Sequence, residues 1–518
     1  MSTFRPYKRW RNNRRRSSAT TAQALFPMGQ EYPKLVARGY RKNSLKPLPK
    51  LALVFGLMLV AIAVMVFWAG PMTNTAVAQD TAAKVWAANT GDTAWIMISS
   101  ALVLFMTPGL AFFYGGLVRS RNVLNTMMMS LAAMAIVGVL WVLWGYSLAF
   151  DVTLAEGQTF ADGIQKFIGG LGWLGLNQVA FDAADPVGYA PTIPHMLFML
   201  YQMTFAIISV ALVSGAIVER ISFKAFFWFI ILWSTFIYSP LAHMVWGRGL
   251  LGAMGALDFA GGTVVHISSG ISALVAAWML GPRKDWMVKP IIPHNVPYVL
   301  LGVGILWFGW FGFNGGNALS AGSLATVALV ATTVSAAAGG FAWAVAEWLL
   351  KSKPTAIGIG SGFVAGLVGI TPAAGFVNPL SAIAIGVLTS LACFFAVNLK
   401  ARLQFDDSLD TFPVHGIGGT VGAILTGFFA NRAVNPAGFN GLLFGNPNQL
   451  TIQVVAVLIT WIIAGVGTWI ILQILSRFME LRVSQQVEEE GLDIHLHGEE
   501  AYGEEIAGEI SFARRRSD

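Results

Sequence analysis

The segment "ALDFAGGTVVHISSG", residues 256–270, sets Asp258 and His266 eight positions apart in an apolar, glycine-rich run. It belongs to a chain of 518 residues that is 55% hydrophobic and 11% charged, against about 25% charged in soluble domains. Hydrocarbon about 30 Å thick takes about 20 apolar residues per helix, and runs of that length recur along the sequence between short polar breaks. Lipid admits only helices or closed barrels, and runs this long and continuous exclude barrel strands. The expected fold is an all-α polytopic membrane protein.

Eleven apolar segments follow residue 79, at about 93–118, 122–150, 195–218, 223–246, 257–281, 296–318, 322–350, 355–371, 378–399, 411–430 and 450–478. Alternate connections carry nearly all the basic residues, among them Arg119, Arg121, Arg220, Lys224, Arg283, Lys284, Lys400, Arg402, Arg477 and Arg482. The other connections hold only Lys166, Arg248 and Arg432. By the positive-inside rule this puts the mature amino terminus outside and the carboxyl terminus in the cytoplasm, with the chain multi-pass in a cell (plasma or inner) membrane. The connection from Asp151 to Pro194 is long and acidic, carrying Asp151, Glu156, Asp162, Asp182 and Asp185. Such a surface steers cations weakly, and a merely solvated loop is an equal reading.

The formal charge of +7 comes from the first 50 residues, which hold 13 Lys and Arg against Glu31 alone. The apolar run 51–69 follows them, and "AVA" at 76–78 fits the small-x-small cleavage pattern. Residues 1–78 are read as a basic leader and signal peptide, with a retained first helix as the competing reading. Residues 79–480 form the transmembrane domain and 481–518 a cytoplasmic tail. The single Cys393 lies in apolar "SLACFFAV" and is read as filler.

Ionisable groups within a span mark a pathway or a paired site by default. From Asp258 near its segment's outer end, eight residues at 1.5 Å each carry His266 about 12 Å deeper. A second pair repeats the spacing: Asp407 precedes His415 by eight in "DDSLDTFPVHGIGG", with Val directly before each His. That segment runs in the opposite direction, so both histidines reach similar depth. The match predicts an inverted repeat, helices 1–5 against 6–10, with a site where the halves meet. "FFYGG" at 112–116 and "GFNGG" at 312–316 echo it, and the eleventh segment is left as an outer strap. Asp258 reads either as a helix cap or as part of the site. No metal site is expected, because the histidines lack further ligands at suitable spacing. Nor is a cofactor, nucleic-acid site or nucleophile–base constellation apparent, so no enzyme is expected. Neutral imidazoles lining a narrow pore suit a small hydrogen-bonding solute or relayed protons.

The strings "FYGGLVRSRNVL", "AHMVWGRG", "GALDFAGGTVVH", "GWFGFNGG" and "FPVHGIGG" resemble the Amt type of the ammonium transporter family, over about residues 90–502. The resemblance implies the ammonium-transporter fold and a homotrimer with one pore per subunit, serving nitrogen uptake. It implies ammonium, with methylammonium as a possible analogue, recruited at an outer vestibule, deprotonated and passed as ammonia beside twin histidines. Position by position, His266 and His415 match the twin pair and Asp258 the essential aspartate. Phe205 and Trp246 match vestibule aromatics, with Tyr201 and Phe313 as a stacked pair closing the pore with Phe205. Gln202, Trp310 and Ser361 match lining or support positions. Asn317 stands where many members carry a vestibule serine. The tail "EEEGLDIHLHGEEAYGEE" is similar to the region that receives a PII-type signalling protein in bacterial members, whereas composition alone reads it as a disordered acidic end. Electrogenic ammonium transport is the first reading, with a neutral ammonia gas channel or an ammonium sensor as alternatives.

Overall fold

The computed structural model describes residues 88–400 and 402–502. The expected leader and signal peptide and the terminal residues 503–518 lie outside the described residues. Among the described residues, ten helices are long and apolar enough to span a membrane, and one more apolar helix is shorter. In chain order they are α1 (Thr90–Leu117), α2 (Ser120–Phe150), α3 (His195–Ile217), α4 (Phe223–Ala253), α5 (Gly262–Leu280), α6 (Val296–Ala318), α7 (Ser323–Lys351), the short α8 (Ala356–Ile370), α9 (Pro379–Lys400), α10 (Phe412–Phe429) and α11 (Pro447–Phe478). All eleven expected segments are helical, and α4 is interrupted at residues 246–249.

Their starts carry the polar residues that helix ends require. Asn89, Ser222, Asn295 and Thr355 each accept a hydrogen bond from a backbone N–H in the first turn of α1, α4, α6 and α8, where the first four donors have no partner inside the helix. Five spans then depart from α-geometry through a π-helical turn: Trp141–Gly145, Ser234–Tyr238, Gly262–Ile267, Phe311–Gly315 and Phe412–Ile417. Such turns gather at functional positions, and three of the five carry His266, Phe313 and His415.

Helix α3 is buried around nearly its whole circumference, as its unbroken apolarity requires. Around it α1 packs on α6, and α5 packs on α10, the pairings an inverted repeat of helices 1–5 and 6–10 produces. Glycines let both pairs approach to backbone contact. A Cβ at Gly302 would lie 2.3 Å from the Phe113 nitrogen, and one at Gly270 would lie 2.0 Å from the Gly416 nitrogen. The second crossing is directly beside His415. Helix α11 packs against α5 and α10.

The connections gather on two faces. On the basic one, the Arg283 guanidinium reaches Glu219 at 2.6 Å and Asp406 at 2.8 Å, and Glu219 also accepts from Arg119 at 2.8 Å and Asn122 at 2.9 Å. Burial alone would raise the Glu219 carboxyl, but the Arg283 and Arg119 guanidiniums outweigh it and hold it at about 2. The tail is built onto this cluster. Two short helices, α12 (Gln485–Glu490) and α13 (Leu492–His497), lie against it. Arg482 pairs with Glu488 at 2.7 Å. Asp493 caps the start of α2 by accepting from Leu124 N and Asn125 N at 3.0 and 2.8 Å. The disordered end that composition suggests is therefore corrected for residues 481–502, because their carboxylates find fixed backbone and guanidinium donors.

On the opposite face, residues 151–194 fold into short turns without a long helix. Two of the acids expected to steer cations turn to structural work. Asp185 is buried and accepts from the backbone of Val187, Tyr189 and Ala190, and Asp151 accepts from Gly172 N. The His243 ring nitrogens lie 2.9 and 2.6 Å from the carbonyl oxygens of Ala149 and Gln165, tying this loop to α4.

The basic cluster supplies a stability test. Glu219, depressed to about 2 in the folded chain against about 4.3 unfolded, contributes stability that is full above the unfolded value and is lost as pH falls through 2. Replacing Arg283 with Met leaves Glu219 and Asp406 without their shared cation, which costs roughly 3–5 kcal/mol at neutral pH. Thermal unfolding of the detergent-solubilised variant across a pH series is expected to show that deficit at pH 7. The deficit should narrow in acid, as the carboxyls that have lost their shared cation take up protons.

Candidate functional site

Between α4 and α5 the chain unwinds over residues 255–261, and Asp258 sits in the break with 8% of its surface exposed. Its carboxylate faces the start of α5. Oδ1 accepts from Gly261 N and Gly262 N at 2.8 and 2.6 Å, and Oδ2 from Thr263 N and Val264 N at 2.8 and 3.2 Å, with the Thr263 hydroxyl as a fifth donor. A carboxylate has about four lone-pair sites, so both oxygens are filled. The cap reading of Asp258 is thus its observed geometry. Its backbone carbonyl accepts from the Trp246 indole N–H at 2.9 Å.

A file of rings leads inward from that indole. Trp246 lies 6.1 Å from Phe205, Phe205 lies 4.5 Å from Phe313, and Phe313 stacks on His266 at 5.9 Å with 22° between planes. Trp310 stacks on His266 as well, at 5.6 Å and 21°, and its indole N–H is held by the Thr371 hydroxyl at 3.0 Å. His266 and His415 then stack at 5.2 Å, with their Nδ1 atoms 3.2 Å apart.

That contact constrains protons. One Nδ1 must donate and the other accept, since two N–H groups cannot face each other across it. The pair therefore shares one Nδ1 proton, and its two Nε2 atoms are of opposite kind, one N–H and one bare nitrogen. His266 Nε2 is buried and has no partner among the described residues. It borders a cavity of about 10 Å³ lined by both histidines, Phe113, Phe313 and Trp310 with Leu, Ile, Val and Met side chains. That is about the space one water-sized molecule needs.

The first repeat's Asp–His pair has its counterpart in the second. Asp407 Oδ2 accepts from Phe412 N at 2.6 Å at the start of α10, while its buried Oδ1 has no partner among the described residues. Burial raises this carboxyl, the Lys400 ammonium opposes that and Asp410 adds to it, leaving it at about 6. The repeat is symmetric in position and unequal in satisfaction.

The sequence profile of the Ammonium Transporter Family matches residues 94–502. The chain belongs to the ammonium transporter family. An ammonium transporter of Bacillus subtilis (strain 168) is 48% identical over 413 residues, covering 80% of this chain and 98% of the relative. Ammonium transporter Amt1 of Archaeoglobus fulgidus is 44% identical over 412 residues, covering 80% and 99%. Among solved structures, the crystal structure of Saccharomyces cerevisiae Mep2 is similar at a TM-score of 0.70 and 37% identity, covering 77% of this chain and 88% of that one. A structure described as a sensor Amt protein gives 0.70 at 27% identity, covering 79% and 98%. This member of the ammonium transporter family is a multi-pass transporter of ammonium and is not an enzyme.

Several residues matched by resemblance are placed differently from expectation in this ammonium transporter. Tyr201 does not join the ring pair: it meets Phe205 edge-on at 5.0 Å, and its hydroxyl donates toward the Gly312 and Phe313 carbonyls at 2.8 and 3.2 Å. It therefore buttresses the pair, which consists of Phe205 and Phe313. Gln202 is buried, and its Oε1 has no partner among the described residues. Ser361 does not line the cavity, where Val364 of the same helix α8 stands instead. Asn317 donates its amide to the Phe313 carbonyl at 2.7 Å, which leaves its oxygen as the free acceptor.

Three residues that sequence reasoning did not single out hold the site together: Thr263 on Asp258, Thr371 on Trp310, and Gln453, whose side chain reaches Leu257 beside Asp258. The spacing of Gln449 and Gln453, one turn apart in an apolar span, was the available signal.

Asp258→Asn tests the cap. Its amide nitrogen would face N–H donors, and buried groups left unpaired cost about 1–3 kcal/mol each. A stability loss of roughly 2–4 kcal/mol is expected by thermal unfolding in detergent, with retained stability contradicting the cap.

Proposed function

We propose that this chain carries ammonium by recruiting the cation near Trp246, Phe205 and Asn317, removing a proton ahead of the Phe205–Phe313 pair, and passing ammonia beside His266 and His415. The observation that carries this reading is the shared-proton histidine pair on a small, mostly apolar cavity. A bare cation there would lose its water without a countercharge, which is expensive in low dielectric. Ammonia, with one lone pair and three N–H groups, fits a lining that offers one donor and one acceptor. Aromatic faces attract cations by roughly 0.5–2 kcal/mol, which suits Trp246 and Phe205 to the recruiting step. Gln202 and Trp310 act as support, and Tyr201 sets the rings.

The transport is electrogenic in this proposal: the proton removed from ammonium also crosses, so one charge moves per ammonia. Orientation follows the positive-inside rule, with the Arg283 face and the tail in the cytoplasm and the Trp246 face outside, after removal of the leader at residues 1–78. In this proposal the protein is a homotrimer in the cell membrane. The ordered tail on the basic face offers a docking surface for a PII-type protein.

Current and uptake in liposomes under an inward ammonium gradient test the proposal. Saturable current that scales with uptake is the expected result. Uptake without current would leave the neutral gas channel, and ammonium binding with neither would leave a sensor, the reading that the likeness to the sensor Amt protein favours. His266→Ala and His415→Ala are each expected to cut selective flux tenfold or more while the oligomer persists on size exclusion. Unchanged selective flux in both would refute the pore assignment.

A further inference from the structure

Helix α11 was left over by the repeat, yet it brings two fully buried glutamines to the unwound segment before Asp258. Gln453 is 1% exposed, and its side chain takes part in four hydrogen bonds. Its Oε1 accepts from Leu257 N at 2.7 Å, while its Nε2 donates to Leu257 O at 2.8 Å and to Ala423 O at 3.1 Å. Behind it, Gln449 donates to Gly255 O at 2.9 Å and to Gln453 Oε1 at 3.3 Å.

One side-chain amide thus takes both backbone groups of Leu257, as a neighbouring strand would. Irregular backbone at membrane depth has to be paired inside the protein, and polar side chains inside a span are costly unless they too are paired. The glutamines and the unwound segment satisfy each other. The third bond reaches α10 at Ala423, eight residues beyond His415. Gln453 therefore touches, through backbone, the segment that carries Asp258 and the helix that carries His415.

We infer that Gln453, backed by Gln449, is a positioning residue for ammonium: it fixes the depth of the Asp258 segment, and with it the Trp246 indole bonded to the Asp258 carbonyl, relative to the histidine pair. The inference rests on the transport reading above. It assigns to α11 the setting of ammonium affinity and selectivity, beyond mere closure of the bundle.

The test uses the full-length protein and the substitutions Gln453→Glu and Gln453→Leu. A protonated carboxyl accepts from Leu257 N through one oxygen and donates through the other, restoring the Leu257 pair. A carboxylate accepts but turns a negative oxygen toward the carbonyls of Leu257 and Ala423. Q453E is accordingly expected to show a KM for ammonium near that of the parent at pH 5.5 and raised tenfold or more at pH 8. The parent should change far less over that range. Q453L is expected to raise KM at both pH values and to weaken discrimination against potassium, with a smaller change in kcat.

Ammonium-dependent thermal stabilisation gives the same contrast as an apparent Kd without requiring flux. If the parent shows no flux while Q453E binds ammonium with this pH dependence, the transport reading falls and the positioning role stands. If Q453E follows the parent's pH profile, or if Q453L loses only protein yield and kcat with KM unchanged, the positioning role is overturned. Equal behaviour of Q453E and parent on size exclusion at pH 5.5 guards against misfolding as the cause.

Discussion

A backbone N–H inside a bilayer has no water to fall back on, and this constraint governs the region around the histidines. The chain unwinds before α5 so that the Trp246 indole and a short extended segment can meet, and that unwinding frees the first N–H groups of the helix. Asp258 answers them with a single carboxylate that accepts from four consecutive backbone donors and one hydroxyl. The free carbonyls and amide of the segment are met by Gln449, Gln453 and Trp246. With both ends of the break satisfied, a π-helical turn follows and aims His266 at the cavity instead of along the helix face.

The second repeat solves the same problem less completely. Asp407 meets the Phe412 N–H and keeps a buried oxygen without a partner among the described residues, while the carbonyls of Asp406 and Asp407 are met by the Arg220 guanidinium and the Lys400 ammonium. The two halves are thus alike in topology and unequal in how their carboxylates are satisfied. The half whose aspartate is filled lies on the Trp246 side, where the ring file leads inward, and the half with the unpartnered aspartate oxygen lies on the side of the tail and the Arg283 cluster.

How much of this was legible in the sequence follows from what each feature costs. Spans were readable because apolar run length is imposed by the bilayer itself, and Asp258 with His266 stood out because ionisable residues at depth are expensive and rare. The matching Asp407 and His415 made the repeat visible by spacing alone. Tyr201 was read as part of the ring pair because family resemblance gives a position along a helix and not the direction of a side chain: its hydroxyl is drawn to the carbonyls freed by the π-helical turn at Phe311–Gly315, and of the lining or support position read at Ser361 the cavity face is taken by Val364. The order in the tail was illegible from composition because much of it comes from carboxylates meeting donors far away in sequence, as Asp493 meets Asn125 N. Gln453 was passed over for a related reason, since its partner is a backbone amide with no signature of its own.

The contact between the two Nδ1 atoms, 3.2 Å long, has one more consequence. A proton that enters at the bare Nε2 of one ring and leaves from the Nε2–H of the other crosses by a shift of the shared proton between the Nδ1 atoms. The rings are left with their tautomers exchanged. The entrance now carries hydrogen and the exit is bare, so a second proton cannot follow in the same direction until the exchange is undone. A pair built this way keeps a memory of its last event: it is a one-bit register where the two repeats meet, and any charge that travels by it must be followed by a step that clears it.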